Sequence, residues 1–228
     1  MRKKSFTLLF PLIVIALMTM ICVPAYSAAF AGTEMEEEDE ADYSFAVKSE
    51  GKKPDIIDFV NAILTQEDCG EMLGEMEENW KAYLSGQPLP SDRSLQVDRK
   101  HGFIRYDAKF PAEEDYPHAF STTIEYKVMK CTGGKQTLVV ENTVECKDGE
   151  PIPGQFSGLT FYLYDARTGR MEQAYGCNLG ADSYVPEGTH IAVHSLRQGR
   201  NTILCKCHMA SGFVCLRLIW NGKTFRIK

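Results

Sequence analysis

From Leu95 to the C terminus the chain follows a period of two, which limits its fold more than any other feature. Successive side chains on a strand point to opposite faces, so this alternation fits half-buried sheets and excludes long helices there. Residues 95–100 and 103–107 flank His101-Gly102 and read as a hairpin. Thr122, Ile124, Tyr126 and Val128 share one face of a longer strand, which Gly133-Gly134 turns toward residues 138–144. The near-continuous apolar run 159–164 predicts a central strand. A turn at Arg167-Thr168-Gly169 precedes strands over 190–196, 202–208, 213–220 and 223–227. Asn221 and Gly222 both tolerate positive φ and give the strongest hairpin signal in the chain.

Before Leu95 the period is helical. Ile56, Ile57, Val60, Ile63 and Leu64 recur on one face, with Pro54 suited to a first helical position. Met72, Leu73, Met76, Trp80 and Leu84 mark a second helix, which Gly86 and Pro88 end. Helices over 54–86, followed by hairpin-linked antiparallel strands over 95–228, predict a single α+β domain spanning 53–228.

The first 31 residues read differently. Arg2, Lys3 and Lys4 precede an apolar run over 8–23, and Ala29-Phe30-Ala31 has the small-x-small pattern of a cleavage site. A cleaved signal peptide over 1–31 is expected, with Val23-Pro24-Ala25 as a second possible cut. Export to the periplasm or exterior follows, with no stable membrane anchor after cleavage. Residues 32–52, holding seven acids between Glu34 and Asp42, are expected to be a disordered linker.

Losing Arg2, Lys3 and Lys4 from 25 basic residues leaves 22 against 31 acids, a net charge of −9. That balance gives no signature of nucleic-acid binding. The charge is unevenly spread. Between Asp55 and Leu84 there are eight acids and one base, Lys81; after Glu187 there are seven bases and no acid. Two arrangements account for this: a cationic face for an anionic glycan, a lipid head group or an acidic partner, or acidic helices laid beside basic strands within the fold. The second is preferred. Should a face form, Arg217, Lys223, Arg226 and Trp220 are the candidate binding residues. Aromatics on strands (Tyr126, Phe161, Tyr162, Tyr164, Phe225) read mostly as core.

Seven cysteines follow the leader, an odd number that leaves at least one thiol unpaired in a monomer. An extended strand over 135–145 holds Cys131 and Cys146 roughly 30 Å apart, beyond bridging reach. Cys205 and Cys207 share a strand face opposite to His208, whereas His190 and His194 share a face with each other. No Cys-x-x-Cys pair is present, so no metal or cofactor is predicted. Ser157 lacks a Gly-x-Ser-x-Gly elbow, and no glycine loop suits a phosphate. A non-enzymatic binding module is therefore expected, with a hydrolase assembled from distant loops as the alternative.

Two stretches carry a family likeness. Gly154-Gln155-Phe156-Ser157-Gly158-Leu159-Thr160-Phe161-Tyr162-Leu163-Tyr164-Asp165 and Ile219-Trp220-Asn221-Gly222-Lys223-Thr224-Phe225 resemble segments of uncharacterised exported proteins from Gram-negative anaerobes. The likeness covers the β-rich half and consists of strands and turns. It implies export and assigns no activity.

Overall fold

The computed structural model describes residues 44–49, 51, 53–66, 71–114, 117–152, 158–181 and 184–228, excepting the side chains of 71–73 and Cys177. The leader, the acidic run 34–42, Cys69 and Ser157 lie outside the described residues. In chain order come strand β1 (Ser44–Ala46), helices α1 (Ile56–Leu64) and α2 (Glu71–Leu84), and strands β2 (Arg93–Asp98), β3 (Phe103–Phe110), β4 (Phe120–Lys130), β5 (Gln136–Lys147) and β6 (Glu150–Pro151). There follow β7 (Gly158–Asp165), β8 (Arg170–Ala174), β9 (Thr189–Leu196), β10 (Thr202–Met209), β11 (Gly212–Trp220) and β12 (Phe225–Ile227).

The strands form two antiparallel sheets. The large one runs β1-β8-β7-β5-β4-β3-β2 with β6 attached to β5, and the small one runs β12-β11-β10-β9. Among the described residues strand accounts for 51% and helix for 14%, which corrects the α+β expectation: the protein is β-rich. The helical signals over 54–86 yield only nine and fourteen residues of helix, while β4 and β5 run to eleven and twelve. Within the stretch expected to be linker, Ser44–Ala46 forms an edge strand whose Phe45 pairs with Met171. Pro54 lies ahead of α1 rather than inside it. The cap is Asp55, whose carboxylate accepts from the Ile57 N–H while Asp58 accepts from the Asp55 N–H, an interlocked box.

Alternation along the large sheet sends side chains to two separate cores. Ile104, Tyr106, Ile124, Tyr126, Val139 and Met171 pack against Ile56, Phe59, Val60, Met76 and Trp80 of the helices. Their strand neighbours Phe103, Met129, Leu138, Val140 and Phe161 face the other way, onto Ala192, Leu196, Ile203, Leu218, Trp220 and Phe225 of the small sheet. The order is helices, large sheet, small sheet. This corrects the expectation that acidic helices lie beside basic strands, because the large sheet stands between the two groups. The helical acids instead find local partners, Glu75 with Arg93 at 2.5 Å, Glu77 with Lys81 at 2.5 Å and Asp55 with Arg99 at 2.5 Å.

The β11–β12 turn ties the small sheet to the large one. Asn221 accepts from the Lys223 and Thr224 N–H groups, and Gly222 adopts a φ of +98°. The Thr132 N–H donates to the Gly222 carbonyl at 2.8 Å. A Cβ at Gly222 would lie 2.3 Å from Thr132 Oγ1, so both the φ and the close approach demand glycine.

Candidate functional site

One face of the small sheet is spent on the core. Ala192, Ile203, Cys205, Cys207, Leu218 and Trp220 point inward, and each is buried. The residues between them point outward, where no layer covers them among the described residues. The strand register arranges this outer face in four transverse rows. Thr202, Ile219 and Arg226 form the first, extended at β9 by Arg197, whose N–H bonds the Thr202 carbonyl. Ser195, Leu204, Arg217 and Lys228 form the second, with Arg217 and Lys228 exchanging two backbone hydrogen bonds of 2.9 Å. Val193, Lys206 and Cys215 form the third; Ile191, His208 and Phe213 form the fourth.

The outcome is a flat surface on which Arg197, Lys206, Arg217, Arg226 and Lys228 are exposed among Val193, Leu204 and Ile219. Neighbouring strands lie about 4.8 Å apart, so these cations sit within one another's fields. None of the five makes an ion pair among the described residues. Phe213 is 62% exposed, and the Lys206 ammonium lies 4.6 Å from its ring centroid, a cation–π contact that holds both at the surface.

Of the residues singled out from sequence, Arg217 and Arg226 meet on this face as diagonal neighbours, and Lys223 is exposed in the adjoining turn. Trp220 does not join them. It is 4% exposed, with its ring 5.0 Å from that of Phe225 and its Nε1–H donating to the Lys130 carbonyl at 2.9 Å. Arg197, Lys206 and Lys228, counted in the sequence among the seven bases after Glu187 but not among the candidate binding residues, join the face, and so does Phe213, which the sequence did not single out. Period-two counting outward from Asn221-Gly222 finds Arg217, Arg226 and Lys228 together and puts Trp220 opposite.

A second polar cluster lies between the sheets. Arg105 on β3 forks onto Asp107 (2.8 and 2.9 Å) and reaches Glu125 on β4 at 3.2 Å. Glu125, 3% exposed, also accepts from Asn142 at 3.1 Å and from the Leu196 N–H at 2.8 Å. Asn142 donates as well to the His194 carbonyl at 3.0 Å. Desolvation raises the Glu125 pKa overall, although the Leu196 N–H, Asn142 and Arg105 pull it back. For Asp107 burial pushes upward too, but bonds from Arg105 and Thr123 outweigh it and the net shift is down. Both carboxylates are engaged, and the Leu196 N–H and His194 carbonyl belong to the free edge of β9. The cluster therefore caps an edge strand and locks it to the large sheet.

The remaining reactive side chains are dispersed. Cys131, Cys146, Cys205, Cys207 and Cys215 are free thiols, with the Cys205 and Cys207 sulfurs 3.4 Å apart in the core. No three of His, Cys, Asp and Glu converge among the described residues. A depression of about 400 Å³ beside His194 is lined by Leu159, Phe161, Tyr175, Tyr184 and Val185 and holds no carboxylate. His194 in that depression hydrogen-bonds the Tyr184 hydroxyl. No helix among the described residues is long and apolar enough to cross a membrane. No family model, no curated protein and no solved structure matches the chain.

Proposed function

We propose that this protein is an exported, non-enzymatic binding module that holds an acidic protein partner on the outer face of the small sheet. The single observation that carries the reading is five exposed cations on one open sheet face, with neither an acid nor an ion pair among them. Unpaired like charges gathered on a rigid sheet repel one another and add nothing to folding. They steer and orient a partner of opposite sign. Between an anionic glycan and an acidic protein, the surroundings of the charges favour the protein. Val193, Leu204, Ile219 and Phe213 separate the cations, and no exposed Trp or Tyr offers a platform for a sugar ring on this face.

The reading is tested with two defined polyanions, a random poly(Glu,Tyr) polypeptide and polygalacturonate. The polypeptide should bind about tenfold more tightly than the glycan at about 50 mM salt, and raising salt to about 300 mM should weaken it. The triple variant Lys206→Glu, Arg217→Glu, Arg226→Glu should lose that binding while keeping its circular dichroism spectrum. Equal or tighter binding of polygalacturonate would transfer the site to a glycan. Undiminished polypeptide binding by the folded triple variant would overturn the assignment of this face.

A further inference from the structure

A second basic region lies away from the sheet face, at the end of the large sheet where the β2–β3 turn, the start of α1 and the β9–β10 turn meet. There a cleft of about 440 Å³ is lined by Lys53, Arg99, Lys100, His101, Lys127 and Lys130. Its one carboxylate, Asp55, is occupied twice over, capping α1 and pairing with Arg99 at 2.8 and 2.5 Å. Lys53, Lys100 and Lys130 are exposed and make no ion pair among the described residues.

Lys127 sets this cleft apart from an ordinary basic surface. It is 2% exposed, and its ammonium donates to the His101 carbonyl at 2.5 Å. An ammonium carries three donors. The other two have no protein acceptor among the described residues, although the side chain lines the cleft. A buried charge left in this state is costly unless something supplies the missing acceptors and counter-charge. Asp98, the acid whose charge acts on it, is already bound by His101 at 2.7 Å and by the Gln198 amide. Burial lowers the Lys127 pKa from its ordinary value.

The turn that shapes this floor is constrained. Gly102 has a φ of +58°, and its carbonyl accepts from the Val128 N–H at 2.9 Å. A Cβ there would lie 3.0 Å from Val128 Cβ. Gly102 thereby lets His101 lie over β4, within reach of Lys127.

The geometry points to a binding site in this cleft for a small tetrahedral oxyanion, the phosphate or sulfate group of a monoester, seated on Lys127 and flanked by Lys100 and Lys130. Such a group presents several acceptor oxygens, which matches the spare donors of one buried ammonium between flexible lysines. The site is separate from the sheet face and does not depend on the partner assigned there.

Calorimetric titration of the full-length mature protein with inorganic phosphate, inorganic sulfate, glucose 6-phosphate and glucose 6-sulfate tests this, with chloride held constant. Wild-type protein should bind at least one of the inorganic ions, and the tighter ester identifies the source. Lys127→Met should weaken binding about tenfold or more, because it removes the buried donor and charge. Its melting temperature should hold or rise, since an apolar replacement relieves a desolvated charge. Lys100→Gln with Lys130→Gln, both at exposed positions and so without risk to the fold, should weaken binding by several-fold. Arg217→Glu with Arg226→Glu should leave it unchanged. No binding of either ion to wild-type protein up to about 10 mM, a concentration at which even a millimolar anion site fills appreciably, would overturn the proposal. So would binding that the Lys127 and the Lys100/Lys130 variants both leave intact.

Discussion

The two sheets hold their arginines differently. On the large sheet, covered on both faces, Arg93 pairs with Glu75 and Arg105 with Asp107 and Glu125, while Lys127 and Lys130 at the end of β4 make no ion pair among the described residues. Every ion pair among the described residues falls between Asp55 and Arg167. On the small sheet, covered on one face, Arg197, Lys206, Arg217, Arg226 and Lys228 have none. The same strands bury Ile203, Leu218 and Trp220 on their inner side, so the small sheet is a half-core whose other half carries charge. Paired charge in this protein belongs to its architecture. Unpaired charge on an open sheet belongs to what the architecture presents.

That division makes the two faces of the small sheet respond differently to mutation. Trp220→Ala should cost about 3–5 kcal/mol, because it opens a cavity beside Phe225 and strips the Lys130 carbonyl of its donor. Chemical denaturation measures it directly, and a loss below about 1 kcal/mol would mean the inner face is not a packed core. Arg217→Ala, three residues earlier on the same strand, should change stability by less than about 0.5 kcal/mol.

The large sheet also buries a titratable carboxyl. Glu141 is 7% exposed beside Tyr126 and Tyr162, and burial pushes its pKa from 4.5 up to about 7 against the pull of the two hydroxyls. The folded protein thus retains a proton that the unfolded chain releases, and stability present below pH 4.5 should fall as pH rises toward 7. The loss is about 3 kcal/mol. Glu141→Gln should flatten that slope and stabilise the protein most at pH 8. A variant with the wild-type slope would place the responsible group elsewhere.

Smaller effects fall at the joint between the sheets. Gly222→Ala should cost about 1–3 kcal/mol through its positive φ and its contact with Thr132. Gly133→Ala, also at positive φ (+89°) but with open space around its Cβ, should cost less. Equal losses would show that backbone conformation alone, and not the link between sheets, holds Gly222.

Much of the small sheet was legible in the sequence because its strands alternate cleanly and its turns carry Gly or Asn. Residues 202–208 and 213–220 need only slight extension to become β10 and β11. Strand β8 was not legible, since Arg-Met-Glu-Gln-Ala has one buried residue, Met171, and no β-branched side chain. Nor was β1, three residues at the end of an acidic stretch. The order of layers was hidden for another reason. Period two states that each strand of the large sheet has two faces and leaves open which layer meets which face, so the acidic helices could be laid against the basic strands on paper. The Arg105–Glu125–Asn142 cluster joins residues far apart in sequence and depends on pairing that no local pattern encodes. Trp220 was assigned to the face by residue type, although its distance of three from Arg217 places it on the other side.

If the arginines of the small sheet serve a partner and those of the large sheet serve the fold, arginine side-chain NMR separates the two sets. Labelled protein titrated with poly(Glu,Tyr) should show shifts at the Nε–H signals of Arg217 and Arg226, while those of Arg93 and Arg105, held by Glu75, Asp107 and Glu125, stay fixed. Shifts at Arg93 and Arg105 with Arg217 and Arg226 unmoved would place the binding charges on the large sheet instead.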